Sequence, residues 1–203
     1  EVSTDREQVS LSYDFPGWGK VTGSVRLGIM TLINQFSNGA TKIACEAIIR
    51  SYYYRYGLNY IGLRYMNVYG PRQDYKGAYI AVIMKMIDMI DSGKSPEILG
   101  NGSESYDFIY VEDCAIANIC AMKSDKANLM LNVGTGKKTS LKTLANTLID
   151  LKKTNLKINY KKDNNKTIVK NRIGSTLKAK KEINFKFNTN LKEGLRKTIS
   201  WKN

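Results

Sequence analysis

Residues 58–70, LNYIGLRYMNVYG, decide how the rest of the chain is interpreted. Their apolar and aromatic side chains, ending in glycine, predict a strand that runs into a loop. Residues 42–56 precede it and predict a helix, with apolar residues at positions 43, 44, 47 and 48. Residues 78–93 follow it and predict a strongly apolar helix that Gly93 ends. A strand between two helices favours an α/β architecture.

The remainder of the chain continues the alternation of strands and helices. Further strands are predicted over residues 96–102 with a turn, 106–111, 129–134 and 156–160. Further helices are predicted over 112–122, 140–153 with Thr139 as N-cap, and 190–202, with a polar loop at 161–166. This alternation indicates a sheet with largely parallel pairing.

The first 37 residues fit this alternation poorly. They contain turn signals at Pro16-Gly17 and one apolar stretch near residues 27–33. We therefore divide the chain into an atypical segment, 1–37, and a second region, 38–203. The first residue is Glu1 rather than Met, which suggests a fragment or a processed product.

Composition excludes several classes of function. The chain has 203 residues, 42% of them hydrophobic, which suffices for one domain with a core. It contains no apolar run long enough to predict a membrane span. It contains no histidine, which removes Ser-His-Asp and Cys-His nucleophiles and most zinc chemistry, and we predict no metal site. Cys45, Cys114 and Cys120 are interpreted as buried free thiols of a cytoplasmic protein.

Positive charge is concentrated at the C-terminal end. The formal net charge is +14, and residues 151–203 contain 16 Lys and Arg against 3 Asp and Glu. A nucleic-acid-binding face, a surface for phosphorylated ligands and a compositional bias without a specific role all stay open. The lysines lack the interleaved aromatic residues of many nucleic-acid-binding proteins.

The stretch SNGATK, residues 37–42, opens the first predicted helix. Asn38 and Lys42 are four residues apart, so they would share one face of that helix. Asparagine is also a favoured N-cap residue, which is the simplest interpretation of Asn38.

Five segments in order carry a more specific signal: GATKIACEA (39–47), YGLNYIGLRYMNVYGPRQ (56–73), GNGSESYDFIYVEDCAIAN (100–118), LNVGTGKKTSLKTLA (131–145) and LKEGLRKTISW (191–201). Together they resemble the extended short-chain dehydrogenase/reductase family. More narrowly, they resemble its NAD-dependent nucleotide-sugar epimerases and dehydratases, of which UDP-glucose 4-epimerase is the familiar member. The resemblance implies a partial Rossmann-like parallel sheet with helices, followed by a small C-terminal substrate-binding α/β region.

The resemblance also implies NAD as cofactor and a Tyr-x-x-x-Lys pair as the catalytic groups. Lys42 falls on the lysine of that pair, which would also hold the nicotinamide ribose, and Asn38 falls on the tyrosine. An amide has no acidic proton near neutral pH, so the pair is incomplete. Thr4, in VSTD, is a weak match to the family's catalytic Ser or Thr.

The family's glycine-rich NAD loop has no clear counterpart. The nearest approach, Gly17-x-Gly19-x-x-x-Gly23, does not follow an apolar strand and lacks an acidic residue about 20 positions later. NAD binding by this chain alone is therefore doubtful on sequence grounds.

The substrate-binding residues are better matched. The resemblance implies that Asn67 contacts the diphosphate and that Arg72 lies in the same loop. It also implies that the segment from Pro96 to Gly100, which includes Ile98, lies along the nucleotide base. A loop-capping role for Asn67 and a surface role for Arg72 stay open.

The remaining substrate positions depart from the family. Tyr106 stands where many relatives carry a phosphate-gripping arginine, and Arg172 is the residue that could supply the missing charge. Ser175 stands where an aspartate is expected. Asp107, Glu112 and Asp113 are interpreted as residues that order a strand-to-helix turn.

Three functions remain as hypotheses. The first is a nucleotide-sugar epimerase or dehydratase that transiently oxidises a sugar, truncated or impaired here. The second is a non-catalytic module that binds a nucleotide-diphosphate sugar or pairs with a homologue, with a homodimer through helices 42–56 and 78–93. The third, nucleic-acid binding by the basic tail, rests on charge alone.

Overall fold

The computed structural model describes residues 37–74, 81–162 and 170–202, with side chains from Thr41 onward. These ranges form six helices and nine strands. In chain order they are α1 Ser37–Tyr56, β1 Ile61–Tyr65, β2 Asn67–Tyr69, α2 Val82–Asp91, β3 Glu97–Leu99, β4 Ser105–Tyr106, β5 Phe108–Tyr110, α3 Val111–Lys123, β6 Leu129–Val133, β7 Thr139–Ser140, α4 Leu141–Leu151, β8 Asn159–Lys161, β9 Asn171–Arg172, α5 Leu177–Ile183 and α6 Leu191–Lys202.

The strand pairing is mostly parallel. β1 pairs with β6, β2 with β5 and β3 with β8, each in parallel. β4 lies between β9, which is parallel to it, and β7, which is antiparallel. The predicted α/β class with largely parallel pairing is confirmed, and long connections through helices separate the parallel partners, as parallel pairing requires.

Two hydrophobic clusters hold these elements together. The first lies among α2, α4 and α6, and its most buried members include Met84, Ile87, Leu144, Leu148 and Leu195. The second lies between the β1–β6 pair and helices α3 and α5, and includes Ile61, Leu63, Leu131, Val133, Ala117 and Phe185. α2 therefore buries its apolar face inside the chain's own core.

Two predicted strands are each divided by one residue. Within 58–70, the backbone N–H of Met66 donates to Val133, whereas the N–H of Asn67 donates to Asp107, so β1 and β2 have different partners. Within 106–111, the N–H of Asp107 donates to Arg172 and divides β4 from β5. Each strand changes neighbours at that point, which a local sequence pattern does not encode.

Several predicted element ends are shifted. Ser140, not Thr139, is the N-cap of α4, and its hydroxyl accepts a hydrogen bond from the Thr143 N–H at 3.0 Å. α1 begins at Ser37, so Asn38 lies inside its first turn rather than at the N-cap. The last predicted strand is shorter than 156–160 and shifted toward the C-terminus, because pairing with β3 begins only at Asn159.

Some predictions lie outside the described residues. The segment up to residue 36, the first three residues of the 78–93 helix and most of the 161–166 loop belong to this group. Within the described ranges no helix is both long enough and apolar enough to cross a membrane.

α1 is attached to the sheet by an ion pair. Glu46 is 8% exposed and accepts two hydrogen bonds from the guanidinium of Arg64 on β1, one of them at 2.6 Å from Nε. These bonds hold the pKa of Glu46 below its ordinary value of 4.5. Ile43 and Tyr54 on the same helix are 71% and 83% exposed, so apolar packing contributes little at those positions.

We expect Glu46→Gln to destabilise the chain by about 1–2 kcal/mol near pH 7, because a charge-assisted bidentate pair is replaced by a neutral one. The pKa of Glu46 is lower in the folded than in the unfolded chain. Its contribution is therefore present above about pH 5 and is lost as pH falls through the folded-state pKa. Urea unfolding from about pH 7 to 3 should show a steeper acid loss in the unmodified chain than in the variant.

Arg50→Gln is the control, since Arg50 reaches Glu46 only at 3.7 Å and its side chain is 53% exposed. Arg50→Gln should lower the free energy of unfolding by less than about 0.5 kcal/mol. Equal effects of the two substitutions would show that the Glu46–Arg64 pair does not anchor α1.

Candidate functional site

The backbone of Asp107 brings three of the predicted site residues together. Its carbonyl accepts the N–H of Asn67 at 2.9 Å, and its own N–H donates to the carbonyl of Arg172 at 3.0 Å. Tyr106 directly precedes it on β4, in register with Arg172 on β9. The start of β2, the end of β4 and the end of β9 therefore meet at one point, which is the candidate binding site.

The side chain of Asp107 holds a loop beside this point. The carboxylate is fully buried and accepts the Thr135 N–H at 2.8 Å, the Thr135 hydroxyl at 2.6 Å and the Gly136 N–H at 2.8 Å. Gly134 lies so close that an added Cβ would collide with Asp107 Oδ2 and stand 2.7 Å from Met66 Cγ. Three donors compensate the buried charge, so Asp107 has a structural rather than a chemical role.

Tyr106 and Arg172 form a stacked pair. The guanidinium carbon lies 5.4 Å from the centre of the tyrosine ring. Burial raises the pKa of Tyr106 above its ordinary 10.0, so the phenol is neutral near pH 7. The Arg172 Nε is buried and has no hydrogen-bond partner among the described residues. A buried donor without a partner is uncommon, and the remaining guanidinium donors suit a phosphate or carboxylate.

Asn67 lies at the start of β2 and is half-buried. Its Nδ2 donates to the Asp107 carbonyl at 3.4 Å. The side chain therefore bonds to the backbone of the neighbouring strand rather than to its own loop. The amide is thus held in place beside the Tyr106–Arg172 pair.

Three other predicted substrate residues lie elsewhere. Arg72 is exposed and has a positive φ of 66° in the turn after β2. Pro96 is buried, and its carbonyl accepts the Asn159 N–H at 2.9 Å. Ile98 is 1% exposed and belongs to the first hydrophobic cluster, so only its backbone is left for a ligand.

Two of the predicted catalytic positions lie on α1. Lys42 is half-buried on α1, and Asn38 stands one turn before it on the same helix. The hydrogen bonds of the described residues contain none that joins the Lys42 side chain to Asn67, Tyr106 or Arg172. Thr4 and the Gly17-x-Gly19-x-x-x-Gly23 stretch lie outside the described residues.

The acidic residues at the start of α3 hold distant segments rather than the local turn. Asp113 is fully buried and accepts the N–H groups of Asn188 at 2.8 Å and Thr189 at 3.1 Å. Glu112 pairs with Lys197 on α6 at 3.4 Å. Both residues have a structural role, but they were predicted to order the local turn. The sequence did not indicate partners more than 70 residues away.

The thiols differ in environment. Cys114 is buried, which raises its pKa to about 12, and Cys120 is half-buried. Cys45 is exposed on α1, so its interpretation as a buried thiol is wrong. The described residues contain no group of three or more Cys, Asp or Glu side chains that could hold a metal ion.

Comparison with known proteins gives consistent matches. Residues 35–134 match the NAD dependent epimerase/dehydratase family. A protein of Methanocaldococcus jannaschii, provisionally named a UDP-glucose 4-epimerase, is 36% identical over 167 residues, which is 80% of this chain and 52% of that protein.

Solved structures agree with these matches. The UDP-glucose 4-epimerase of Thermotoga maritima with UDP-glucose is 32% identical, with a TM-score of 0.76 over 81% of this chain and 52% of that one. The UDP-N-acetylglucosamine 4-epimerase of Methanobrevibacter ruminantium with UDP-N-acetylmuramic acid is 37% identical, also with a TM-score of 0.76, over 81% of this chain and 53% of that one. The chain thus spans about half the length of the relatives it matches.

We expect Asp107→Asn to cost about 1–3 kcal/mol of unfolding free energy. An amide offers one acceptor atom to three donors and adds an N–H₂ group beside the Thr135 and Gly136 N–H groups. Asp125→Asn is the matched control, because the Asp125 side chain is 84% exposed. Urea titration measures both variants, and equal midpoints would contradict the anchoring role of Asp107.

Proposed function

We propose that this chain binds a nucleotide-diphosphate sugar, because residues 35–134 match the NAD dependent epimerase/dehydratase family. The activity we propose for the whole protein is that of a UDP-glucose 4-epimerase-like isomerase of carbohydrate metabolism. Such an enzyme transiently oxidises one sugar carbon and then reduces it again, with no net redox change. The named relatives and the solved structures with UDP-sugars support this choice of ligand.

The position of Arg172 carries the proposal, with its guanidinium over the Tyr106 ring and its Nε without a hydrogen-bond partner among the described residues. The resemblance leads us to expect a phosphate-gripping arginine at position 106, where this chain has tyrosine. Arg172 is the direct neighbour of that position across the β4–β9 pair, and its side chain stacks on the tyrosine ring. The positive charge is therefore retained at this place on the neighbouring strand. A planar guanidinium can donate two parallel hydrogen bonds to a phosphate, which a phenol cannot.

The other binding residues have narrower roles. Asn67 is held against Asp107 and would present its amide to the diphosphate. The Pro96–Ile98 backbone would follow the nucleotide base, since the Ile98 side chain is occupied by the core. Arg72 is exposed in the turn after β2 and would reach the ligand only from solvent.

NAD is the cofactor we propose for the whole protein, and it would supply hydride transfer. Among the described residues we assign a role toward NAD to Lys42, as a positive charge near the ribose. The described ranges contain no glycine-rich turn that joins a strand to a helix as the dinucleotide site requires. Position 38 provides an amide instead of a phenol, so we assign no proton-transfer step to it.

A second candidate is a non-catalytic module that binds a nucleotide sugar and forms a homodimer. Asn38 at the tyrosine position favours it. The exposed apolar residues of α1, Ile43, Ile48 and Tyr54, support a partner surface there. α2 supports it less, because five of its residues are buried in the chain's own core. We place either form of the protein in the cytoplasm, which is consistent with three free cysteines.

Titration with UDP-glucose by calorimetry tests the binding site. Arg172→Gln should weaken the Kd at least about tenfold, because a charged donor pair to phosphate is lost. Arg172→Lys should weaken the Kd less, since lysine keeps the positive charge but lacks the paired N–H donors of a guanidinium. Arg196→Gln, at an exposed arginine on α6, should change the Kd less than about twofold. Equal Kd values for the Arg172→Gln variant and the unmodified chain would contradict the proposed site.

Titration of the same chain with NAD separates the two candidate functions. Saturable binding would support the enzyme and would place cofactor contacts in residues beyond those described. Binding of UDP-glucose without any NAD binding would support the non-catalytic module.

Asn38→Tyr tests the catalytic pair directly. With NAD bound, we expect the variant to interconvert UDP-glucose and UDP-galactose at least about a hundredfold faster than the unmodified chain, as restoring a general base implies. Adding Lys42→Met should remove the gain, because the lysine charge lowers the tyrosine pKa. No gain in a variant that still binds NAD would rule out position 38 as the altered base.

A further inference from the structure

A pocket lies between the loop after β6 and the chain that follows α5. Its volume is about 260 Å³, and it is lined by Gly134, Thr176, Lys180, Phe185, Lys186 and Phe187. We refer to it as the lysine pocket. None of the residues proposed above for the nucleotide sugar lines it, so it goes beyond the proposed function.

One wall of the lysine pocket is fixed by Asp107. Gly134 opens the loop whose next two residues, Thr135 and Gly136, donate three hydrogen bonds to that buried carboxylate. The loop N–H groups are thereby used inside the protein, and an incoming ligand would have to be bound by side chains.

The opposite wall is fixed at both ends. α5 ends at Asn184 in the left-handed conformation, with φ of 53°, and Phe185 follows at 2% exposure. The N–H groups of Asn188 and Thr189 donate to the buried Asp113 carboxylate. Lys186 and Phe187 therefore stand on a short segment held on both sides, so the pocket is formed before any ligand binds.

The pocket carries positive charge without matching negative charge. Lys180 and Lys186 line it and are exposed, and Lys137 Nζ stands 5.1 Å from the centre of the Phe187 ring. The ion pairs of the described residues include none from these three lysines. The carboxylates that hold the two walls of the pocket, Asp107 and Asp113, are fully buried and already accept backbone donors.

A hydroxyl and aromatic side chains complete the lining. Thr176 is the N-cap residue of α5, yet its side chain makes no capping hydrogen bond, so it is available as a donor toward the pocket. Phe187 supplies apolar surface, and its ring positions the Lys137 ammonium by a cation–π contact.

We propose that the lysine pocket binds a small phosphorylated ligand. Two lysines and the Thr176 hydroxyl line the pocket, and a third ammonium group, that of Lys137, stands beside the Phe187 ring. Together they match the charge and the acceptor oxygens of a phosphate group. The Phe187 ring would contact the ligand's organic part. The excess charge of the C-terminal region, 16 Lys and Arg against 3 Asp and Glu over residues 151–203, is on this view partly a local binding feature rather than a uniform surface property.

Calorimetric titration with inorganic pyrophosphate tests the proposal. Lys180→Gln with Lys186→Gln should weaken the Kd at least about tenfold. Lys94→Gln with Lys157→Gln removes the same charge at two exposed lysines outside the pocket and should weaken it less than about twofold. In the unmodified chain, pyrophosphate should shift the amide signals of Thr176 and Phe187 in a ¹H–¹⁵N spectrum.

The two proposed sites are separated by crossed variants. Arg172→Gln should leave pyrophosphate binding at the lysine pocket within about twofold while it weakens UDP-glucose binding. The Lys180/Lys186 variant should show the reverse. If the Lys180/Lys186 variant lost UDP-glucose binding, the lysine pocket would be part of the nucleotide-sugar site. The proposal of a separate site would then be wrong.

Two further outcomes would overturn the proposal. If both double variants weakened pyrophosphate binding equally, the binding would depend only on the total charge of the protein. Any polyanion, including a nucleic acid, would bind in the same way. Unshifted Thr176 and Phe187 signals at saturating pyrophosphate would show that the ligand binds elsewhere.

Discussion

The fully buried carboxylate of Asp107 is the constraint on which the rest of this structure depends. A buried charge is costly unless several donors compensate it, and here Thr135 and Gly136 provide three. The same residue joins β2 to β5 and β4 to β9 through its backbone. It therefore sets the position of Asn67 and Arg172 on one side and of the loop bordering the lysine pocket on the other. Neither candidate binding surface would keep its shape if this residue lost its partners.

The proposed nucleotide-sugar site and the predicted catalytic pair differ in different ways from the pattern that the resemblance implies. On the substrate side, the arginine expected at position 106 is absent, but Arg172 brings a guanidinium to the adjacent strand and stacks it on Tyr106. Electrostatic recognition of a phosphate tolerates such an exchange, because the charge need only occupy the same region of space. Proton transfer is less tolerant, since it requires a group of suitable pKa at a defined atom. Asn38 lacks such a group.

The sequence predicted much of the fold and part of the site. The alternation of apolar strands and amphipathic helices indicated the α/β class, and Asn67, Tyr106 and Arg172 were predicted as site residues from the motifs around them. The sequence did not reveal that Met66 and Asp107 each divide a strand, because that depends on which neighbour pairs with it. It did not show the Glu46–Arg64 pair, whose members are 18 residues apart, or the exposure of Cys45. The sequence showed an excess of lysine and arginine over residues 151–203, but it did not show that some of these lysines line a pocket.

The sequence by itself determined the local elements, the family resemblance, the lack of histidine and the amide at position 38. These follow from residue identity and short-range periodicity, which the tertiary structure cannot change. The tertiary structure alone decided which polar groups meet: Tyr106 with Arg172, Asp107 with Thr135, and Asp113 with Asn188. The reason is that buried polar and charged groups need partners, and these partners meet only through the tertiary fold. The paired residues named here lie 28 to 75 positions apart in the sequence.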